Sequence, residues 1–332
     1  MRCSSIMSRH LSSCGYLLLL LTCLAPFPLS GQNLELLGNY RIVVLNGENP
    51  PSTVLGLYRG LNLAKLELQQ RYTIEIDFER TTLPDRTPGS HSIPAQLQDL
   101  LDTPPDAVVV AATAFGSPSN WETILNEAGI PLISIHASAD APPYQENIVA
   151  NELAAGRLAA QQLLQAMRRS GTIAILTAPG KPAMEQRLQG VLEVLGNRQP
   201  YVILSTTPNP NAVHALLRET VAEDRNRQIR GWLFLDDWAF RSMVDPIWDA
   251  SRAPAVSIMN HPSTTAALRS GQLAGVVIQP WQQWGHEALY RLIYQIHDRA
   301  GEREHLIEFP PQWIPRNESE ALESLWSSWL LE

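Results

Sequence analysis

Asn147 to Gly196 reads N-I-V-A-N-E-L-A-A-G-R-L-A-A-Q-Q-L-L-Q-A-M-R-R-S, then G-T-I-A-I-L-T-A-P-G, then K-P-A-M-E-Q-R-L-Q-G-V-L-E-V-L-G. Leu153, Leu158, Leu163, Leu164 and Met167 recur near one face at helical spacing, and Asn151 stands before them as an N-cap, so the first part is an amphipathic helix. Thr172 to Leu176 is a short apolar run bounded by Gly171 and Pro179, the pattern of a strand buried on both faces. A second helix follows from Pro182 to Leu195. Helix, buried strand, short loop and helix make half of a doubly wound α/β unit, in which ligands bind at the carboxyl ends of the strands. Arg187 lies about a turn into a helix that starts at such an edge.

The same alternation extends in both directions. Before this stretch the pattern predicts a strand at Arg41–Leu45, a helix from near Pro51 through Leu68, and a half-buried strand from Tyr72 to Phe78 near a sheet edge. A loop over Arg80–His91 leads to a helix at Ile93–Leu101 and a strand at Ala107–Ala112; Trp121–Ala128 is helical, and Pro131–Ile135 is a strand ending at His136. Such alternation implies a parallel sheet, and right-handed crossovers place its strand ends on one rim. After the opening stretch come a strand at Tyr201–Ser205, a helix at Ala212–Val221, and a strand at Gly231–Leu235 ending at Asp236-Asp237-Trp238, with a helix onward to Trp248. Strands at Ala255–Met259, ending at Asn260, and Ala274–Ile278, ending at Gln279-Pro280-Trp281, precede a helix from Trp284 to Ala300 and an extended H-L-I-E-F-P-P-Q-W-I.

The 332 residues, 45% of them hydrophobic, suffice for two ordinary cores. The net charge of -8 argues against nucleic acid, whose phosphates require a clustered basic surface. Arg2, Arg9 and His10, an apolar run from Tyr16 to Leu24, and small residues after Pro26 and Pro28 describe a secretory signal with cleavage near Ser30 or Gly31; a buried first helix is the alternative. Leu20-Leu21-Thr22-Cys23 resembles a lipoprotein signal, with Thr22 where a smaller residue is usual, so an anchor on Cys23 is the minor alternative. All three cysteines, Cys3, Cys14 and Cys23, fall in this segment, which leaves an exported chain without a disulfide framework, thiolate zinc site or cysteine nucleophile.

A small or Asp/Asn residue, a Gly-containing helix, G-x-I-A-I-L and an Arg shortly before a Gly together resemble the periplasmic sugar-binding proteins of the ribose-binding type, whose core LacI-type repressors share. The closing P-P-Q-W-I-P-R-N-E-S is similar to the P-x-L-x-x-R-x-S of the wider group. The resemblance implies two doubly wound parallel-sheet lobes joined by a three-strand hinge, crossed near Ile148–Asn151, Gln279 and Glu302. The expected division is a signal peptide at 1–31, an N-terminal lobe of 38–148 plus 280–302, a C-terminal lobe of 149–279 plus 303–316, and a helical tail at 317–332 beyond the usual ending. The signal in place of a helix-turn-helix module separates the chain from the repressors.

The resemblance also implies a set of ligand-binding residues. Asn49 matches the family's first-loop Asn, though a turn residue before proline fits as well. Arg187 matches the ligand-binding Arg, against a surface helix charge. Asp236 and Asp237 occupy an N-D pair; the first faces the ligand and the second caps the following helix. Asn260 replaces an Asp, and Gln279 matches the hinge-side Gln; either amide also fits a helix cap. His136 with Ala137 stands where Asp-Arg is usual, as a ligand or as a satisfied strand-end histidine. Asn151 at the first crossing joins them. Trp238 is the candidate for stacking on a sugar face and Trp281 a second, although packing is the commoner role of such tryptophans.

The chain carries no G-x-S-x-G, H-E-x-x-H, phosphate loop or thiolate pair, so neither an enzyme, a cofactor nor a metal is expected; an Asp236–Glu152 carboxylate pair is the remaining hydrolase option. The expected function is an exported binding protein that closes on a sugar, polyol or similar polar solute and presents it to the permease of an ABC importer. The alternative is a periplasmic ligand-sensing receptor that docks on a membrane histidine kinase or other signalling receptor.

Overall fold

The computed structural model describes residues 37–47, 53–83, 95–111, 121–135, 146–241, 243, 245–258, 261–297 and 306–330. Expectations for the signal segment and for Asn49, His136 and Asn260 lie outside these residues. In chain order the elements are β1 (Leu37–Gly47), α1 (Thr53–Arg71), β2 (Thr73–Leu83), α2 (Ala95–Asp102), β3 (Ala107–Ala111), α3 (Trp121–Glu127), β4 (Leu132–Ile135) and β5 (Glu146–Ala150). Then come α4 (Glu152–Ala166), β6 (Thr172–Thr177), α5 (Pro182–Leu195), β7 (Tyr201–Ser205), α6 (Pro210–Glu223), β8 (Ile229–Phe234) and β9 (Ala255–Ile258). The remainder is α7 (Pro262–Ser270), β10 (Gly275–Ile278), α8 (Trp281–His297), β11 (Leu306–Phe309), β12 (Gln312–Pro315) and α9 (Ser319–Leu330).

The strands form two six-stranded sheets, ordered β11-β5-β4-β3-β1-β2 and β12-β10-β9-β8-β6-β7. Every pairing is parallel except that of β12 with β10. The central strands β3, β4, β9 and β10 are buried along their whole length, as their Val- and Ile-rich sequences require of a sheet covered on both faces. In each sheet the order reverses once, between β1 and β3 and between β6 and β8, which opens a crevice outside the carboxyl ends of those strands.

Helix starts follow the local chemistry. Asn151 caps α4 by accepting the Ala154 N–H at 2.8 Å, and Asn209 caps α6 ahead of Pro210. Two helix pairs, one in each lobe, cross at reciprocal glycines. A Cβ on Gly60 of α1 would stand 2.0 Å from the Gln282 carbonyl of α8, and one on Gly285 would stand 2.1 Å from that of Leu57. In the second lobe Gly156 of α4 lies against the Arg187 carbonyl of α5, and Gly190 against that of Leu153, at 2.0 and 2.1 Å by the same measure. Only glycine admits backbones so near.

The chain passes between sheets three times: from β5 into α4, from β10 into α8 at Gln279-Pro280, and from β11 into β12 at Pro310-Pro311. The third passage corrects the position expected near Glu302, because β11 still pairs with β5 in the first sheet (Leu306 with Asn147). The helix expected onward to Trp248 is also corrected. Among the described residues after β8, only Trp238–Phe240 make a short 3-10 turn before β9, and the aromatic rings of Trp232, Phe234, Phe240 and Trp248 pack together at centroid separations of 5.1 to 6.3 Å. The tail is helical, as its pattern predicts: Leu322 of α9 is 2% exposed in the second lobe's core, and α9 packs on α7 and reaches α1 of the first lobe.

Candidate functional site

Arg187 sits in the second turn of α5, on the side turned toward α4 and the end of β8, and is 2% exposed. Its Nε donates to Glu152 Oε2 at 2.6 Å and its Nη2 to Glu152 Oε1 at 2.8 Å, a fork-to-fork pair. Nη1 donates to the Leu235 carbonyl at 2.7 Å and lies 3.8 Å from Asp236 Oδ2. Burial works against this charge, but Glu152 and then Asp236 more than offset it, and the Arg187 pKa is raised above its ordinary value. The guanidinium stays charged.

Gln279, where the chain leaves β10, is 2% exposed; its Nε2 is 3.5 Å from Glu152 Oε2, and its Oε1 is buried without a partner. Asp236, just past β8, keeps 15% of its side chain exposed and accepts the Asp237 N–H on Oδ1 at 2.6 Å. Burial first and the neighbouring Asp237 second push its pKa up to about 7, against the pull of Arg187. Glu152, Arg187 and Asp236 thus balance in charge when Asp236 is protonated and carry one excess negative charge when it ionises.

The fold therefore brings Arg187, Asp236 and Gln279 into one cluster at the second lobe's switch point, around a residue that sequence reasoning weighed only as a hydrolytic carboxylate. Glu152 is the first residue of α4, placed by the Asn151 cap, and a buried arginine without an opposing acid would be the signal for it. Asn151 itself is not in that cluster: its Oδ1 caps α4, and its Nδ2 donates to Glu308 Oε2 of β11 at 2.8 Å, tying two of the three interlobe passages. Trp238 is 5% exposed, with the Lys181 ammonium 5.5 Å from its ring centre. Trp281 is 2% exposed and packs on Trp284 at 4.6 Å, so both rings belong to packing. Asp237 is spent on Arg241 at 2.6 Å and makes no cap bond with its side chain. On the first lobe, Asn46 at the end of β1 is 6% exposed; its Nδ2 donates to the Tyr58 hydroxyl, and the Arg80 guanidinium lies 3.9 Å over that ring.

No group of His, Cys, Asp and Glu fit to hold a metal ion occurs among the described residues. The sequence from residue 78 to 299 matches the model of the periplasmic binding protein domain. The chain belongs to the periplasmic binding protein family.

Solved members of this architecture superpose on nearly the whole chain. A sugar-binding protein of a sugar ABC transporter from Bacillus halodurans is 12% identical with a TM-score of 0.70, covering 85% of this chain and 99% of its own. An arabinose binding protein from Geobacillus stearothermophilus is 13% identical with a TM-score of 0.69 and the same coverage. A periplasmic ribose ABC transporter protein from Conexibacter woesei is 17% identical with a TM-score of 0.68, covering 87% of this chain and 95% of its own. Among curated proteins none matches the sequence. At these identities the likeness establishes the two-lobe fold of the periplasmic sugar-binding proteins, as the motifs around Arg187 lead one to expect.

Proposed function

We propose that this chain is an exported solute-binding protein that closes on a sugar or sugar-like polyol between its lobes and delivers it to an ABC importer. The observation that carries the reading is the convergence of Arg187, Asp236 and Gln279 on one strand-end crevice, beside two of the passages between the sheets. Family membership and the sugar-binding neighbours support the substrate class. Asp236 is the direct contact on the second lobe: it retains exposure, and its carboxylate accepts hydrogen bonds from hydroxyl groups. Arg187 is the anchor that holds Asp236, its own donors being directed to Glu152 and Leu235. Asn49, His136 and Asn260 remain proposed contacts, from the resemblance. Closure bends the passages at 150–152, 279–280 and 310–311.

The commitment of Glu152 to Arg187 favours binding over hydrolysis, since a carboxylate so engaged serves poorly as acid or nucleophile. The test is thermal unfolding of the purified protein against arabinose, ribose, other pentoses and hexoses, and their polyols. An upshift that rises with sugar concentration is the expected result. No shift with any of them refutes the proposal.

A further inference from the structure

The net charge of -8 conceals a segregation of cations. Parallel pairing sets the starts of β6 to β10 at one pole of the second lobe, opposite the crevice: the Thr172 N–H donates to Gln228 O, that of Ile173 to Pro200 O, and that of Trp232 to Pro254 O, each at 2.9 Å. The Arg316 N–H closes the set on Ala274 O at 3.0 Å. The segments that meet there carry Arg168, Arg169, Arg198, Arg225, Arg227, Arg252 and Arg316, against Glu223, Asp224, Asp249 and Glu318. Arg252 faces Asp224 at 3.6 Å. The side chains of the other six arginines are exposed and make no ion pair or hydrogen bond among the described residues.

Three of these arginines surround a cavity. Arg168, Arg252 and Arg316, with Ser251, Ser270 and Gln272, line a space of about 400 Å³. The Arg252 Nε is buried there without a partner. The Arg316 guanidinium lies on Gly271, a glycine at φ +84° whose missing side chain makes room for it. Beside the pole, on the outer strand of the sheet, Tyr201, Val202 and Ile203 are 42%, 38% and 39% exposed.

We propose that this pole docks on an anionic lipid bilayer, with one lipid phosphate seated in the Arg168–Arg252–Arg316 cavity. A single free anion would satisfy only the cavity. Arg198, Arg225 and Arg227 stand on other loops and match a surface that presents many phosphates side by side. The exposed Tyr201, Val202 and Ile203 suit the bilayer interface, where aromatic and apolar groups settle among the headgroups. Docking by this end turns the crevice away from the bilayer, so the docked form is a capture state from which the protein must detach to deliver its solute. A salt-sensitive contact permits that exchange.

The test uses Leu37–Glu332, which forms one compact unit containing both sheets, so that the apolar leader does not contribute. Co-sedimentation is measured with vesicles of phosphatidylcholine alone and of phosphatidylcholine mixed with phosphatidylglycerol, without any sugar, so the outcome is independent of the transport reading. Binding to the mixed vesicles only, weakened by added salt, is expected. The exposed pair R168E/R316E should weaken it on the order of twenty-five-fold or more, taking about fivefold for each arginine lost, while the first-lobe pair K65E/R71E should leave it unchanged. Circular dichroism and the midpoint of thermal unfolding confirm that both variants are folded. No binding to the mixed vesicles, equal loss in both variants, or saturable uptake of inorganic phosphate with no vesicle binding would overturn the proposal.

Discussion

Arg187 and Glu152 close a two-point grip across α4 and α5, at 2.6 and 2.8 Å, with side chains 2% and 5% exposed. An ion pair this dry contributes little net stability against an apolar pair of the same volume, but losing one partner strands a charge. E152Q or E152A should therefore destabilise the protein by about 3–5 kcal/mol, whereas E152L/R187M recovers most of that loss. Guanidinium unfolding of the three variants checks it; a single variant as stable as the parent would contradict the grip.

The crossing of α4 and α5 is tighter than any side chain allows. At Gly156 an added methyl would meet the Arg187 carbonyl at 2.0 Å, and at Gly190 it would meet that of Leu153 at 2.1 Å, so the helices must separate. G156A and G190A should each cost about 1–3 kcal/mol. Because G156A presses on Arg187 itself, it should also weaken sugar binding beyond what its stability loss explains. Titration of the variants well below their unfolding temperature separates the two effects.

How much of this was legible in the sequence depends on whether one residue or two had to be read together. The core of the buried strand at Thr172–Leu176 and the helix at Pro182–Leu195 were legible because apolar runs and a proline at the helix start are local signals. The short strand β5 and the helix α7 carry weak local patterns and emerge only from their neighbours: β5 from pairing with β4 and β11, α7 from the His261–Thr264 cap and the left-handed Gly271. The Glu152–Arg187 pair spans 35 positions in sequence, so spacing alone could not show it. Trp238 shows the same limit from the other side: a tryptophan beside a strand end looks the same in sequence whether it faces a crevice or, as here, the core.

Leu322 and the Arg269–Glu323 bridge both hold α9 on the second lobe, and they differ greatly in weight. Leu322 is 2% exposed within the core, so L322A should cost about 2–4 kcal/mol. Arg269 Nη1 donates to both Glu323 carboxylate oxygens at 2.9 Å, but the side chains are 61% and 44% exposed, so R269A should cost no more than about 1 kcal/mol. Equal losses measured by denaturant unfolding would mean that the tail is held by charge rather than by burial.

Asp236 should make both stability and, under the proposed function, sugar affinity depend on pH, with opposite signs. Its pKa in the fold is pushed up to about 7 by burial and by Asp237, with Arg187 and Glu152 the other charged groups at hand. Below the ordinary aspartate range, roughly pH 4, both the folded and unfolded chains hold the proton and nothing is lost. Between there and about 7 the unfolded chain ionises first, so the contribution of this group to stability falls as pH rises and is constant above that window. In the proposed complex sugar hydroxyls donate to the ionised carboxylate, so affinity should run the other way. The Kd for the sugar giving the largest thermal shift should fall by about tenfold per pH unit on the way up to the Asp236 pKa and then level off. In D236N the profile should be flat and the affinity low throughout. Calorimetric titration across that range decides it: a flat profile in the unaltered protein removes Asp236 from the contact surface and returns the second lobe's role in recognition to Arg187.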